Sequence, residues 1–160
     1  MATEQQQRVN WPLVVRQALA AGLVGAATFD LFIWIAIALP EHTSMLGVWQ
    51  FIASAAIGPV ALSSTSYAWL GLLVHVIVSV GWAGGYAYLA STRPFMNARW
   101  LISGLMYGIV VYVFMDLLLL GAGKLAPLAT PNALVVQVLA HCVFFGLPVA
   151  FVVARLDRAA

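Results

Sequence analysis

The chain has 160 residues, of which 64% are hydrophobic and 8% are charged, and its formal net charge at pH 7 is +2. Soluble domains carry about 25% charged residues, so this composition leaves too little polar surface for a water-soluble protein. It predicts an integral membrane protein. The weak positive charge and the lack of a basic patch interleaved with aromatic residues exclude nucleic acid as a partner.

A long apolar segment, about residues 14–39, follows a polar N-terminus. It is longer than the ~7–15-residue apolar core of a signal peptide, and no small-residue cleavage site closes it. A transmembrane helix needs about 20 apolar residues. Pro40 ends the segment, because proline cannot continue a helix. We therefore predict a first membrane-spanning helix that is not cleaved.

Three further segments are long and apolar enough to cross a bilayer: about 67–90, 100–121 and 132–154. Ser66 and Asn132 are suitable N-cap residues for the first and last of these. Residues 45–62 are also apolar, but two glycines and a proline interrupt them. The sequence predicts one all-α domain, residues 1–160, that forms a four-helix bundle in the membrane.

The arginines decide between four spans and five. With four spans, all six fall on one side of the membrane, which the positive-inside rule makes cytoplasmic. They are Arg8, Arg16, Arg93, Arg99, Arg155 and Arg158, and only Lys124 falls in the other loops. We predict a multi-pass protein of the bacterial cytoplasmic membrane with both termini in the cytoplasm. Residues 45–62 then form a short interfacial or re-entrant helix on the opposite side, with Trp49 at the headgroups.

The chain contains a repeated pattern. Residues 22–31 and 108–117 share glycine, valine, aspartate and leucine at one constant offset, and the Leu-x-His sequence of residues 73–75 recurs at 139–141. The chain therefore reads as two helical hairpins, each with one aspartate followed by one histidine. Because each hairpin crosses the membrane twice, the two copies have the same orientation, which makes a parallel repeat.

Four ionisable residues lie inside the predicted spans: Asp30, His75, Asp116 and His141. A charged side chain at bilayer depth costs at least ~2.5–3.5 kcal/mol, so such residues face the protein interior and often mark a functional site. At about 1.5 Å per helical residue, all four lie in one layer of the outer half of the bilayer. Helical periodicity places three more polar residues on the same faces: Ser79, Tyr112 and Gln137.

Several functions fit these seven residues. The Asp–His pairs could be structural hydrogen bonds between helices. The histidines could hold a haem b or a transition metal, with the aspartates as further ligands or as groups that orient them. The residues could also relay protons, or bind a small solute, a lipid or a quinone.

The sequence favours a small membrane protein whose Asp/His site handles a ligand, a proton or a small solute. The alternatives are a haem- or metal-binding redox subunit, and a structural subunit of a larger complex or a homo-oligomer in the lipid bilayer. No Gly-rich phosphate loop, metalloprotease motif or nucleophile elbow identifies an enzyme, so the question of catalysis stays open.

Two local features predict how the helices pack. Small residues recur at helical spacing on the first and third spans: Gly22 with Gly25, and Gly104 with Gly108. They favour close helix packing inside the bundle over dimerisation. Pro148 is expected to kink the fourth span and to free a carbonyl near Phe144.

The two hairpins, with a glycine-rich first helix and a histidine early in the second, resemble small bacterial four-helix membrane proteins of the YagU-like kind. The resemblance covers the spans and rests on short motifs, such as residues 108–116 and His141. It implies the four-helix membrane fold. That group has no established chemistry, so the resemblance implies no site residues.

Overall fold

The computed structural model describes residues 9–121, 123 and 131–160, and the regular structure in this part of the chain is helical. The α-helices are α1 (Trp11–Ile33), α2 (Met45–Ile57), α3 (Ala68–Thr92), α4 (Phe95–Ala98), α5 (Trp100–Gly121), α6 (Pro131–His141) and α7 (Leu147–Arg158). A π-helical turn, Trp34–Ala38, extends α1, and another, Cys142–Gly146, joins α6 to α7; short 3₁₀ helices, Pro59–Ser63 and Thr65–Tyr67, precede α3. The predictions for Arg8 and Lys124 lie outside the described residues.

Four helices are long and apolar enough to cross a membrane. We call them the first to fourth spans: Trp11–Ala38, Thr65–Thr92, Trp100–Gly121 and Leu134–Arg158. Many large apolar side chains on their outer surfaces are exposed, as expected for a bundle that lies in lipid rather than water. The predicted all-α fold with four helices of membrane-spanning length and composition is confirmed. Met45–Ile57 is a separate helix of 13 residues, too short to be a fifth span.

The helix cap before the second span differs from the one predicted. Ser64, rather than Ser66, provides the capping oxygen before the second span, where it accepts a hydrogen bond from the backbone N–H of Ser66. The capping residue therefore lies two positions earlier than predicted, because a short 3₁₀ helix, Thr65–Tyr67, precedes α3. The helix α6 is described from Pro131 onward, and the N-cap predicted at Asn132 lies outside what the structure describes.

Neighbouring spans are antiparallel and approach closely at glycines. Gly22 lies against the backbone of Val80, and a Cβ atom there would overlap it. Gly25 lies against Val149 and Phe145 of the fourth span. The predicted packing of these glycines inside the bundle is therefore confirmed for the first span.

The third span packs on the fourth in the same way. Gly104 faces Ala150 and Gly146, and Gly108 faces the backbone of His141 and Cys142. The G-x-x-x-G face is thus covered within the chain. The antiparallel order also gathers the described arginines at one end of the bundle: Arg16, Arg93, Arg99, Arg155 and Arg158.

The predicted free carbonyl is also present. Pro148 has no N–H to donate to the carbonyl of Phe144. The hydroxyl of Thr28, on the first span, donates to this carbonyl instead. The first and fourth spans are therefore joined by a side-chain hydrogen bond where the fourth span departs from regular α-helix.

The second and third spans meet mainly through aromatic side chains, because their backbones make almost no close approach. The hydroxyl of Tyr107 donates to the carbonyl of Trp82 over 2.6 Å. Trp82 also packs edge-on against Phe114, and Tyr107 against Tyr86, with ring centres 5.1 and 5.0 Å apart. We call these four residues the aromatic layer. Above it, away from the arginines, the two spans are separated by a space.

Candidate functional site

A cavity of about 530 Å³ fills this space. All four spans and the short helix α2 contribute to its wall, which is mostly apolar. Five of the seven polar residues singled out in the sequence line it: His75, Ser79, Asp116, Gln137 and His141. The other two, Asp30 and Tyr112, contact the histidines of this group from behind the wall.

Asp30 is held by two side chains. One carboxylate oxygen, Oδ1, lies 3.3 Å from Nε2 of His75, and the other accepts a hydrogen bond of 3.2 Å from the indole N–H of Trp49. The side chains of His75 and Asp30 are only 12% and 18% exposed. The contact with His75 lacks the geometry of a hydrogen bond, so the indole of Trp49 supplies the hydrogen bond that links α2 to Asp30.

The second hairpin does not form the matching pair. Among the described residues, His75 with Asp30 is the one histidine–carboxylate pair within 4.0 Å. Asp116 and His141 both line the cavity, and no such contact joins the two. The two hairpins therefore differ in the geometry of residues that match in sequence.

The difference follows from helix register. Asp30 is eight residues beyond Gly22, whose partner Val80 is five residues after His75, so the pair is offset by three residues, or roughly 4–5 Å along the helix. Asp116 is also eight residues beyond its glycine, Gly108. That glycine faces Cys142, directly after His141, so the offset is seven residues, or roughly 10 Å. Side chains can bridge the first offset but not the second.

His141 has one ring nitrogen engaged within its own helix. Its Nδ1 lies 2.9 Å from the backbone carbonyl of Gln137. Since a carbonyl oxygen only accepts, Nδ1 carries the proton, and Nε2 of the neutral ring is left as an acceptor. The ring of Tyr112 packs beside it, with ring centres 5.5 Å apart.

Phe29 packs against both imidazoles. Its ring centre is 5.6 Å from that of His75 and 5.0 Å from that of His141. A haem ligated by the two histidines would need the space beside both imidazoles, where the ring of Phe29 packs. The residues therefore do not fit the haem b that the sequence left open as a possibility. The sequence did not single out Phe29, although it directly precedes Asp30.

The predicted metal site is not assembled either. The part of the chain that the structure describes contains no group of three His, Cys, Asp or Glu side chains close enough to hold a metal ion. The reason is the register difference, which leaves Asp116 away from His141, together with the packing of Phe29. His75, His141, Asp30 and Asp116, which the sequence left open as possible metal ligands, do not come together as such a group.

The short helix α2 forms one wall of the cavity, with Val48, Phe51, Ile52, Ala55 and Ala56. It packs closely on the second span, where a Cβ atom on Gly71 would overlap the carbonyl of Trp49. The indole of Trp49 is turned onto Asp30, whereas the sequence placed it at the lipid headgroups. Gly71 lies about one helical turn before His75, but nothing in the sequence showed which helix would pack against it.

The inner end of the cavity is closed by the aromatic layer. Trp82 lines the cavity directly, and Ser79, one turn above it, is 3% exposed. The cavity therefore ends in the middle of the bundle.

A comparison with family models, with curated proteins and with solved structures finds no match to this chain.

Proposed function

We propose that this membrane protein binds a small, largely apolar molecule in the cavity, with a polar end of that molecule held by the Asp/His side chains. The volume of the cavity carries the proposal. At about 530 Å³ it falls within the range of roughly 300–1,000 Å³ that is typical of sites for drug-sized ligands. Apolar walls with a few converging polar groups are also typical of such sites.

The surroundings of the cavity support entry from the bilayer. Phe51 of α2 and Leu118 of the third span both line it, and they are 45% and 54% exposed. The second and third spans are not closely packed at the backbone. A molecule dissolved in the membrane could therefore reach the cavity sideways, between α2 and the third span.

The closed inner end favours ligand binding over a continuous path for a proton or solute. The aromatic layer lies between the cavity and the arginine end of the bundle, where its rings pack edge to face. A purely structural role does not explain the cavity, because a bundle that only supports its own helices would be more stable with that space filled by side chains.

The placement in the cell remains part of this proposal. The described arginines cluster at one end, which supports a cytoplasmic position for that end and for both termini. The cavity then opens in the half of the bacterial cytoplasmic membrane that faces the periplasm. The two hairpins, with aspartate and histidine in the same order, support an ancient duplication whose halves have since diverged in register.

Native mass spectrometry of the protein, purified from cells in a mild detergent, tests the proposal. We expect a bound small molecule on the wild-type protein and none on Ala56→Trp, which places an indole in the cavity. Ala27→Trp, on the exposed face of the first span, is the matched control and should keep the adduct. Adducts that are equal on all three proteins would contradict ligand binding in the cavity.

A further inference from the structure

We propose that the ligand is an amphipathic organic cation, an inference that rests on the proposed function and names the chemical class of its ligand. The first argument is the charge of the wall. Asp116 supplies a carboxylate, and none of the described residues that line the cavity is a lysine or an arginine. The described arginines lie at the far end of the bundle, beyond the aromatic layer.

The two histidines do not reverse the negative charge that Asp116 gives to the cavity wall. His75 faces the carboxylate of Asp30, so even a protonated imidazole there belongs to a pair with no net charge. In neutral His141, Nδ1 is committed to a carbonyl, which leaves Nε2 as an acceptor. The wall therefore offers a carboxylate and an acceptor nitrogen, and among the described lining residues an anion would find no fixed positive charge to balance it.

The apolar part of the wall suits the same ligand. Four aromatic side chains contribute to it: Phe29, Phe51, Trp82 and Phe145. The face of an aromatic ring attracts a cation, and the attraction strengthens where water is excluded. A carboxylate among aromatic rings in an apolar cavity selects a cation whose charge is carried by a bulky organic group, because a small hydrated ion would lose its water without replacement.

A pair of ions with the same shape and opposite charge tests the inference. We would measure equilibrium binding of radiolabelled tetraphenylphosphonium and of tetraphenylborate to the protein in nanodiscs of neutral lipid. Binding to Ala56→Trp nanodiscs gives the partition of each ion into lipid, which is subtracted. We expect tetraphenylphosphonium to bind at one site per chain, and tetraphenylborate to bind at least about tenfold more weakly, the ratio that a modest charge interaction produces.

Asp116→Asn should weaken tetraphenylphosphonium binding by about tenfold or more, since it removes the carboxylate and keeps the shape. Asp116→Glu should retain binding, which separates loss of charge from misfolding. Asp157→Asn, which neutralises an exposed aspartate near the C-terminus, is the control and should bind like wild type.

The outcomes separate the two proposals. If both ions bind equally, or tetraphenylborate binds better, and Ala56→Trp abolishes both, the cavity is a binding site and the inference of a cation is wrong. If Ala56→Trp binds both ions as wild type does, the ions only partition into lipid, and the proposed function fails as well. Unchanged tetraphenylphosphonium binding in Asp116→Asn would also overturn the cation inference.

Discussion

The contact between Asp30 and His75 predicts an energetic coupling that the equivalent residues of the second hairpin lack. His75→Ala leaves the carboxylate of Asp30 with the indole of Trp49 alone, at a site where the side chain is 18% exposed. Asp30→Asn removes the charge that faces the imidazole. The double variant removes the carboxylate and the imidazole together, so it should cost less than the two single changes added.

The size of this coupling can be bounded from the geometry. Interhelical hydrogen bonds in membrane proteins average about 0.6 kcal/mol in double-mutant cycles and reach about 1.7 kcal/mol. The Asp30–His75 contact is 3.3 Å long and lacks the geometry of a hydrogen bond, although both side chains are mostly shielded from solvent. We therefore expect a coupling near the average of that range, about 0.6 kcal/mol. In a chain of this size, 1 kcal/mol corresponds to roughly 2–4 °C in Tm.

The assay is thermal unfolding of the four proteins of the cycle in one detergent, followed by circular dichroism. Asp116→Asn and His141→Ala provide the matched cycle, because those residues correspond in sequence but are offset by roughly 10 Å along the helix. We expect additive losses there and a coupling at Asp30 and His75. Additive losses in both cycles, or equal coupling in both, would refute the account of helix register.

Two further predictions follow. Gly71→Ala should lower stability by about 1–3 kcal/mol, the usual cost of overpacking, because its methyl group would meet the carbonyl of Trp49; Gly81→Ala on the same helix has open space and should be tolerated when Tm is measured alongside. In intact cells, a membrane-impermeant maleimide should label Ser63→Cys and spare Thr92→Cys, since the arginine end is predicted to be cytoplasmic, and the reverse pattern would overturn the predicted orientation.

The four spans and their packing faces could be predicted from the sequence because they depend on local properties. The length of the apolar segments and the distribution of the arginines predict the number of spans without knowledge of any contact. The glycines of the first and third spans similarly predict where two helices pack closely, since small residues let helix backbones come into contact. Gly22 and Gly108 both make such contacts.

The partners of these glycines could not be predicted from the sequence. They set the register of the helices and therefore determine which polar side chains meet in the cavity. Gly22 and Gly108 occupy matching positions, yet one meets Val80 and the other Cys142, so identical patterns give different registers. The register depends on how all the side chains of the two helices interlock, which a repeated motif does not reveal. For this reason the sequence identified the polar residues of the cavity but could not show which of them lie in contact.

The packing of α2 against the bundle could not be predicted from the sequence either. A mostly apolar helix of 13 residues with glycine and proline after it is compatible with an interfacial position and with packing against the bundle. The choice is made by tertiary contacts, above all the close approach at Gly71 and the bond from Trp49 to Asp30. No periodic pattern in the sequence predicts either of these two contacts.

A crystal structure of the protein purified from its own membrane would show whether the cavity binds a ligand. We expect density for a small molecule in the cavity, with its charged end near Asp116 and its apolar part between α2 and the third span. A cavity closed by inward movement of the third span, with Asp116 turned away from the bundle, would contradict this expectation.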